Sequence, residues 1–440
     1  MTNARQIALE LLNRVRASDS YINLLLPKEL AKHEISDADR GLVQKLSYGV
    51  LRWQLQYDGI IDQLTPGKTL SPALRAAIQL GLHQLFRMRV PTHAAINETV
   101  DLVKGFETSA AGLANAVLRN AERAGQESLL ATLTEGRDEL TQLSIEYSHP
   151  KWIISGMQSA LELDGRKSEL RELLAANNQI PIVNLIAITN VASAELDELG
   201  LERGSASPRG YLATGNPLQY LTIPGVRVQD QGSQLVALAL SAVADKTGTW
   251  LDMCSGPGGK AAVLEDAVSG SGHLVCYEPH VKRAKLVTAA LKDPENTPVL
   301  VNRGQDAPEN SFAAVLLDAP CAGLGSLRRK PESRWTKTPE QLPSLTKLQS
   351  ELLDAAVLAL EPGGLLMYAT CSPLIVETNA QIRATLDRHA NISLVDLVPV
   401  MQRLSPGLEL NTARKTIQLW PHRHGTDAMF MALLKKDDGT

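Results

Sequence analysis

The spacing of apolar and polar positions changes character twice along the chain. Over the first stretch, to about residue 125, it is helical. Ile7, Ala8, Leu11, Leu12 and Val15 recur at three- and four-residue intervals. Leu42, Val43, Leu46, Val50 and Leu51 repeat that spacing behind Ser36, which with Asp39 makes a weaker relative of the capping box. Further helices are predicted over 74–86, 94–106 and 111–121, so residues 1–125 read as an all-α domain. From 126 to 228 the pattern is mixed. A turn at Tyr147–Trp152 leads into a helix over 152–162, and strands are predicted at 180–188, 211–213 and 220–223. Spacing assigns no chemistry to this small α+β segment.

From 229 to 440 strand and helix alternate, the signature of a parallel sheet. Strands are predicted at 249–253, 274–277, 299–301, 314–317 and 365–370, with helices at 259–268, 281–291 and 345–360. After a helix at 378–388, residues 415–420 and 428–434 read as two strands joined by a polar loop. The run Ala314–Leu317 stops at Asp318-Ala-Pro-Cys321, and the run Leu365–Thr370 stops at Cys371. Ligands of open α/β sheets bind at the carboxyl ends of the strands, so the two cysteines could face one pocket.

The first strand of this region turns through Asp252-Met-Cys254-Ser255-Gly256-Pro257-Gly258-Gly259-Lys260. A Walker A loop fails here, because Ala261 stands where Ser or Thr must follow the lysine. A dinucleotide fingerprint lacks its third glycine. An S-adenosylmethionine loop needs small residues and a helix N-terminus facing the ligand's carboxylate. Its usual companion is an acidic residue ending the second strand, and Glu278 sits there. A glycine-rich turn near a surface glutamate would look the same.

Composition narrows the setting. Hydrophobic residues make up 44% and charged residues 21%, ordinary for a soluble chain. No apolar run approaches the roughly 18 residues of a membrane span, and no signal-peptide pattern opens the sequence. Four cysteines with no C-x-x-C pair make neither a disulfide framework nor a metal motif, so a cytoplasmic protein with reduced thiols and no metal is expected. A net charge of −4 gives no global sign of nucleic acid, so any RNA site has to be local. Arg328, Arg329, Lys330 and Arg334 form the densest basic cluster in the second half. Such a run is commonly a solvated face, but its place directly after the Cys321 loop makes phosphate contact the sharper expectation.

Taken together, Asp252–Lys260, Asp318-Ala-Pro-Cys321-Ala-Gly-Leu-Gly with Arg328–Pro331 and Trp335, Tyr368-Ala-Thr-Cys371-Ser and Gln418–Phe430 resemble the motifs of RNA cytosine-5 methyltransferases. Asp39-Arg40, Tyr48–Arg52, His93–Thr99 and Asn115–Arg119 resemble the NusB-like domain fused to that enzyme in the bacterial 16S ribosomal RNA subfamily (RsmB, also called Sun or Fmu). The likeness covers most of the chain and thins between 126 and 225. It implies a multidomain fold: an all-α NusB-like domain, a small α+β segment and a C-terminal Rossmann-like methyltransferase domain. It implies S-adenosyl-L-methionine as cofactor and 16S ribosomal RNA as partner, with the protein expected to be a monomer.

The same likeness implies roles. Cys371 is the nucleophile that adds to cytosine C6, Cys321 helps release the product, and Asp318 bonds the base near N3. Cys254, Ser255, Gly256, Pro257, Gly258, Gly259, Lys260, Glu278, Arg283 and Asp318 are the expected cofactor contacts. Gln305 or Asp306 is expected on the adenosyl side: the family has an aspartate there, and here Gln305 holds the usual spacing with Asp306 one residue late. The cofactor loop carries Ser255-Gly256 where Ala-Ala is commoner, and Thr426 and Met429 depart from the closing motif. Alternatives are a transfer RNA cytosine-5 methyltransferase and a non-catalytic RNA-binding assembly factor. Loss of Cys371 or a broken cofactor loop would favour the latter, and neither is seen.

Overall fold

The structure is a computed structural model that describes residues 4–18 and 20–438, so the outermost residues of the first and last expected domains lie outside it. It contains two compact units. One ends at Ser155 and takes in Leu327–Thr338; the other runs from Gly156 to Ser326 and resumes at Pro339. Among the described residues no helix is long and apolar enough to cross a membrane.

The first unit is helical: α1 (Ala4–Ser18), α2 (Ile22–Leu30), α3 (Asp37–Leu64), α4 (Pro72–Arg87), α5 (Thr92–Lys104), α6 (Ala111–Ala124), α7 (Gln126–Thr134) and α8 (Glu139–Tyr147). Ser36 caps α3 as its sequence predicts, its Oγ accepting from the Asp39 amide at 3.1 Å. The apolar faces of α1, α3, α4 and α6 meet in one core containing Ile7, Leu11, Leu46, Val50, Ile78 and Leu118. Helix α3 kinks at Trp53, whose φ of −113° leaves the helical region. The break in the ladder is filled by side chains. The Leu55 amide donates to Ser148 Oγ at 3.1 Å.

The carbonyls released at the kink are taken by the inserted segment Leu327–Thr338. Trp335 Nε1 donates to Leu51 O at 2.6 Å, and Arg334 Nη1 donates to Arg52 O at 2.7 Å and Ser148 O at 3.2 Å. Arg52 answers with a bond from Nη2 to Arg328 O at 2.7 Å, and Glu332 Oε1 accepts from the Ile22 amide at 2.9 Å. Arg334 is only 1% exposed, and burial pulls its pKa well down, with Arg52 adding to the fall. A buried carbonyl that loses its donor costs about 1–3 kcal/mol. Arg334→Ala orphans two of them and leaves a cavity, so it should lower stability by roughly 2–4 kcal/mol in urea unfolding.

The second unit has two sheets. In the smaller, β1 (Asn184–Ala187) pairs antiparallel with both β2 (Gly210–Leu212) and β3 (Val226–Val228). The third strand predicted at 220–223 is not one. Asn216 and Pro217 open a tight 3₁₀ turn over Pro217–Thr222, with Asn216 Oδ1 accepting from the Leu218 amide at 3.1 Å, and the strand comes later as β3. The larger sheet comprises β4 (Thr249–Asp252), β5 (His273–Tyr277), β6 (Val299–Leu300), β7 (Phe312–Asp318), β8 (Leu360–Thr370), β9 (Ile392–Val395), β10 (Ile417–Gln418) and β11 (Phe430–Lys436). Its order is β10-β11-β8-β7-β4-β5-β6, with β9 also on β11. Strands β4 to β8 run parallel, while β11 returns antiparallel to β8 and β10 to β11.

Alternation along the strands feeds two apolar layers, so Trp250 and Ala314 lie in one and Leu251 and Val315 in the other. The helices Gly259–Val268, Val281–Ala290 and Leu342–Ala359 cover these layers close to where periodicity puts them. The chain passes outward from β4 through β5 to β6 and then returns to β7 on the far side of β4. That reversal puts a crevice at the carboxyl ends of β4 and β7.

Candidate active site

Asp252 ends β4, Asp318 ends β7 and Thr370 ends β8, so three turns leave the sheet beside one another. Asp318 stands in register with Ala369, which starts the two cysteine loops side by side. They are then laced together by backbone bonds: Ala319 N to Ala369 O at 2.9 Å and Gly325 N to Cys371 O at 3.0 Å. All four cysteines are free thiols, with Cys321 and Cys371 half-buried and Cys276 in the core.

The turn after β4 is shaped by its glycines. Gly258 adopts a φ of 101°, and a Cβ there would lie 2.5 Å from Ala290 Cβ. It caps the helix Gly259–Val268 without offering a side chain, so the first-turn amides point toward the crevice uncapped. A Cβ on Gly256 would lie 2.2 Å from Glu278 Oε2, which explains glycine at that position. Glu278 is buried after β5, with Oε1 accepting from the His280 amide at 3.0 Å and Oε2 3.3 Å from Arg283 Nε. Arg283 Nη2 reaches back to Gly256 O at 2.8 Å. Ser255 and Cys254 contribute differently: Ser255 Oγ ties down Asp252 O at 2.8 Å, while the Cys254 side chain packs on an apolar layer. The pKa of Cys254 is raised by burial and by the surrounding carboxylates.

Lys260 crosses from this loop to the next, its ammonium 2.6 Å from Asp318 Oδ2. Burial alone would lower its pKa, but the charge and hydrogen bond of Asp318 outweigh that and raise it, so the lysine stays protonated. Asp252, entirely enclosed, is pushed up to about 7 by burial, with the Asp318 charge adding to it. A carboxyl whose folded pKa lies above its ordinary value binds its proton more tightly when folded. Its stabilising effect is complete below about pH 4 and is lost as pH rises toward 7. Asp252→Asn removes that loss. Its stability relative to the parent should therefore rise between pH 5 and 7, by at most about 1.4 kcal/mol per pH unit, and level off above; urea melts across pH measure it.

The thiols have different surroundings. Cys321 is pushed up to about 12 by burial, then by the charges of Glu377 and Asp318. The Cys371 Sγ lies 3.8 Å from Oδ2 of Asp427, a buried carboxylate whose own amide donates to Asp230 Oδ1 at 3.0 Å. Gln305 is half-buried on the turn after β6. The neighbouring Asp306 is committed to that turn, accepting from the Arg303 amide at 3.1 Å and pairing with its guanidinium at 3.0 Å.

The expected RNA cluster requires correction. Arg328 and Arg334 are buried within the helical unit, Arg334 bonding the carbonyls of Arg52 and Ser148, so neither side chain is offered at the surface as a basic run requires. Arg329 is exposed, and Lys330 sits half-buried with its ammonium 4.9 Å from the centre of the Tyr21 ring. Sequence reasoning gave no role to Asp427, Glu377 or Asp252. Asp427 and Asp252 had a signal, their places within the closing motif and at the start of the cofactor loop; Glu377 had none. Among the described residues one potential metal cluster appears, Glu10, Glu29 and His33, but Glu29 is already paired with Arg14 and with Lys32 at 2.9 Å.

Comparison with known proteins matches residues 237–435 to the family described as 16S rRNA methyltransferase RsmB/F and residues 2–123 to the NusB family. A ribosomal RNA small subunit methyltransferase B of Pseudomonas putida is 33% identical over 99% of this chain and 98% of its own. A Mycobacterium tuberculosis protein named only as a methyltransferase is 37% identical over 98% and 96% respectively. Among solved structures, PH0851 superposes with a TM-score of 0.78 at 22% identity, covering 99% of both chains. NSun6 from Pyrococcus horikoshii, crystallised with SFG, gives 0.51 at 15% identity over 65% of this chain and 98% of that one. Both share the fold.

Proposed function

Because the chain belongs to the RsmB/F family of 16S rRNA methyltransferases, we propose that it methylates C5 of a cytidine in 16S ribosomal RNA, with S-adenosylmethionine as methyl donor and Cys371 as nucleophile. The observation that carries the reading is the pairing of two thiols on laced loops at the ends of adjacent parallel strands, beside an aspartate held by a half-buried lysine.

The crevice suits the cofactor. The uncapped helix start at Gly259 would take its carboxylate, Glu278 the ribose hydroxyls, and Gln305 rather than the self-occupied Asp306 the adenine side. When bound, it supplies an electrophilic methyl group. The protein's part is to make C5 reactive. Addition of the Cys371 thiolate to C6 pushes electron density onto C5, and once C5 carries the methyl, loss of its proton lets the C6–sulfur bond break and restores the ring. Asp318 would accept a hydrogen bond from the base or hold its added proton near N3, with Lys260 keeping its carboxylate in place. Asp427, facing the Cys371 sulfur, is positioned to receive the thiol proton. Cys321, kept protonated near neutral pH, can pass its proton to the departing Cys371 sulfur and take up the C5 proton in the same step, so that it ends as it began. Arg329 and Lys330 remain as candidate phosphate contacts.

The test is methyl transfer from labelled S-adenosylmethionine to unmethylated small-subunit RNA, with the product nucleoside identified by mass. 5-Methylcytidine in that RNA is the expected product. Label confined to transfer RNA would move the substrate assignment, and a methylated base other than 5-methylcytosine would overturn the chemistry.

A further inference from the structure

Glu377 belongs to neither cysteine motif, yet its side chain is fully buried. The short turn Ile375–Glu377 carries it to a point between the two cysteine loops. Its Oε1 accepts from the Ala322 amide at 2.8 Å and from Gln349 Nε2 at 3.1 Å, and its Oε2 accepts from the Ser372 hydroxyl at 2.5 Å. Gln349 also donates to Pro320 O at 2.8 Å. Ala322 and Ser372 are the residues that directly follow Cys321 and Cys371. Burying a carboxylate is costly unless strong donors replace its water, and here every donor is part of the two loops or the helix that backs them.

We propose that Glu377 is a positioning residue that clamps the two cysteine loops to each other, so that one buried carboxylate sets the relation between the two thiols. This rests on the reading of Cys371 and Cys321 as the reacting groups. The clamp differs from packing because a carboxylate can accept from both loops at once, which an apolar side chain cannot. The charged and titratable groups facing Cys321 are Glu377, Asp318 with its partner Lys260, and Tyr368.

The proposal makes two separable predictions. Glu377→Ala should lower kcat by about 10²-fold with the KM values for cofactor and RNA within about 3-fold of the parent, since misplaced reacting groups cost that much. Glu377→Gln keeps an acceptor for Ala322 but puts a donor opposite Ser372, and should recover the rate to within about 10-fold of the parent. Without RNA, iodoacetamide labelling of Glu377→Gln should shift Cys321 to lower pH than in the parent while Cys371 moves little, a change that lost packing would not produce. Parental kcat in Glu377→Ala, or an unshifted Cys321 in Glu377→Gln, overturns the clamp. If Glu377→Ala does not fold, Ser372→Ala removes one arm and should slow kcat about 10-fold at unchanged KM; a parental rate overturns the proposal. Absence of 5-methylcytidine from the parent would instead refute the reading of the thiols, and the labelling shift would still judge the clamp.

Discussion

Cys371→Ala is expected to abolish methyl transfer, with kcat falling by roughly 10⁴-fold or more, because the proposed route activates C5 through covalent addition of this thiol. Binding should survive. Cys371 sits after β8, while the helix start and Glu278 that would hold the cofactor come from β4 and β5. Cofactor affinity measured by equilibrium dialysis should therefore stay within about 3-fold of the parent. Cys321→Ala should behave differently. If Cys321 serves release, this variant still forms the bond between Cys371 and C6 and stalls there, giving a protein–RNA adduct that survives denaturing electrophoresis. Activity retained in Cys371→Ala would end the assignment of the nucleophile; absence of the adduct in Cys321→Ala would end that of the releasing group.

Gly325→Ala should also be strongly damaging although it adds a single methyl. A Cβ at Gly325 would lie 2.2 Å from the Ala428 carbonyl oxygen and 3.0 Å from the Cys371 carbonyl carbon. Both neighbours are backbone, and both are bonded to Gly325: its amide donates to Cys371 O at 3.0 Å and its carbonyl accepts from Ala428 N at 2.9 Å. The methyl can be accommodated only by spreading the Cys321 loop from the Cys371 loop and from the segment that carries Asp427. A loss of about 10²-fold in kcat is expected, with cofactor affinity unchanged and a stability cost of about 1–3 kcal/mol from overpacking. A kcat within about 2-fold of the parent would show that the three segments need not be held so closely.

Much of the layout of the candidate site was legible because its residues sit at strand ends, where apolar runs stop at turn formers. The helix Gly259–Val268 matches its expected bounds, and β7 and β8 end at or just before the residues singled out. What the sequence hid depends on partners far along the chain. Arg328 and Arg334 read as part of a basic run expected on RNA phosphates, and the carbonyl of Arg52 at the α3 kink explains the burial of Arg334. Glu377 is an ordinary glutamate until the fold brings Ala322 and Ser372 to it. Residues 220–223 carry strand-like side chains, but Asn216 and Pro217 just before them commit the chain to a turn. β9 is four residues long and takes its place from pairing with β11, which local pattern cannot show.

The insertion of Leu327–Thr338 into the helical unit has a consequence for biosynthesis. The eight helices leave the ribosome early, but the segment that satisfies the kink of α3 is translated only after Gly156–Ser326. At about 5–20 residues per second that is a wait of roughly 10–40 s. During it the carbonyls of Leu51 and Arg52 can be served only by water. The domain made first is thus among the last to be completed, and a nascent chain stalled before Arg334 would present an open slot that a protease or a chaperone could find.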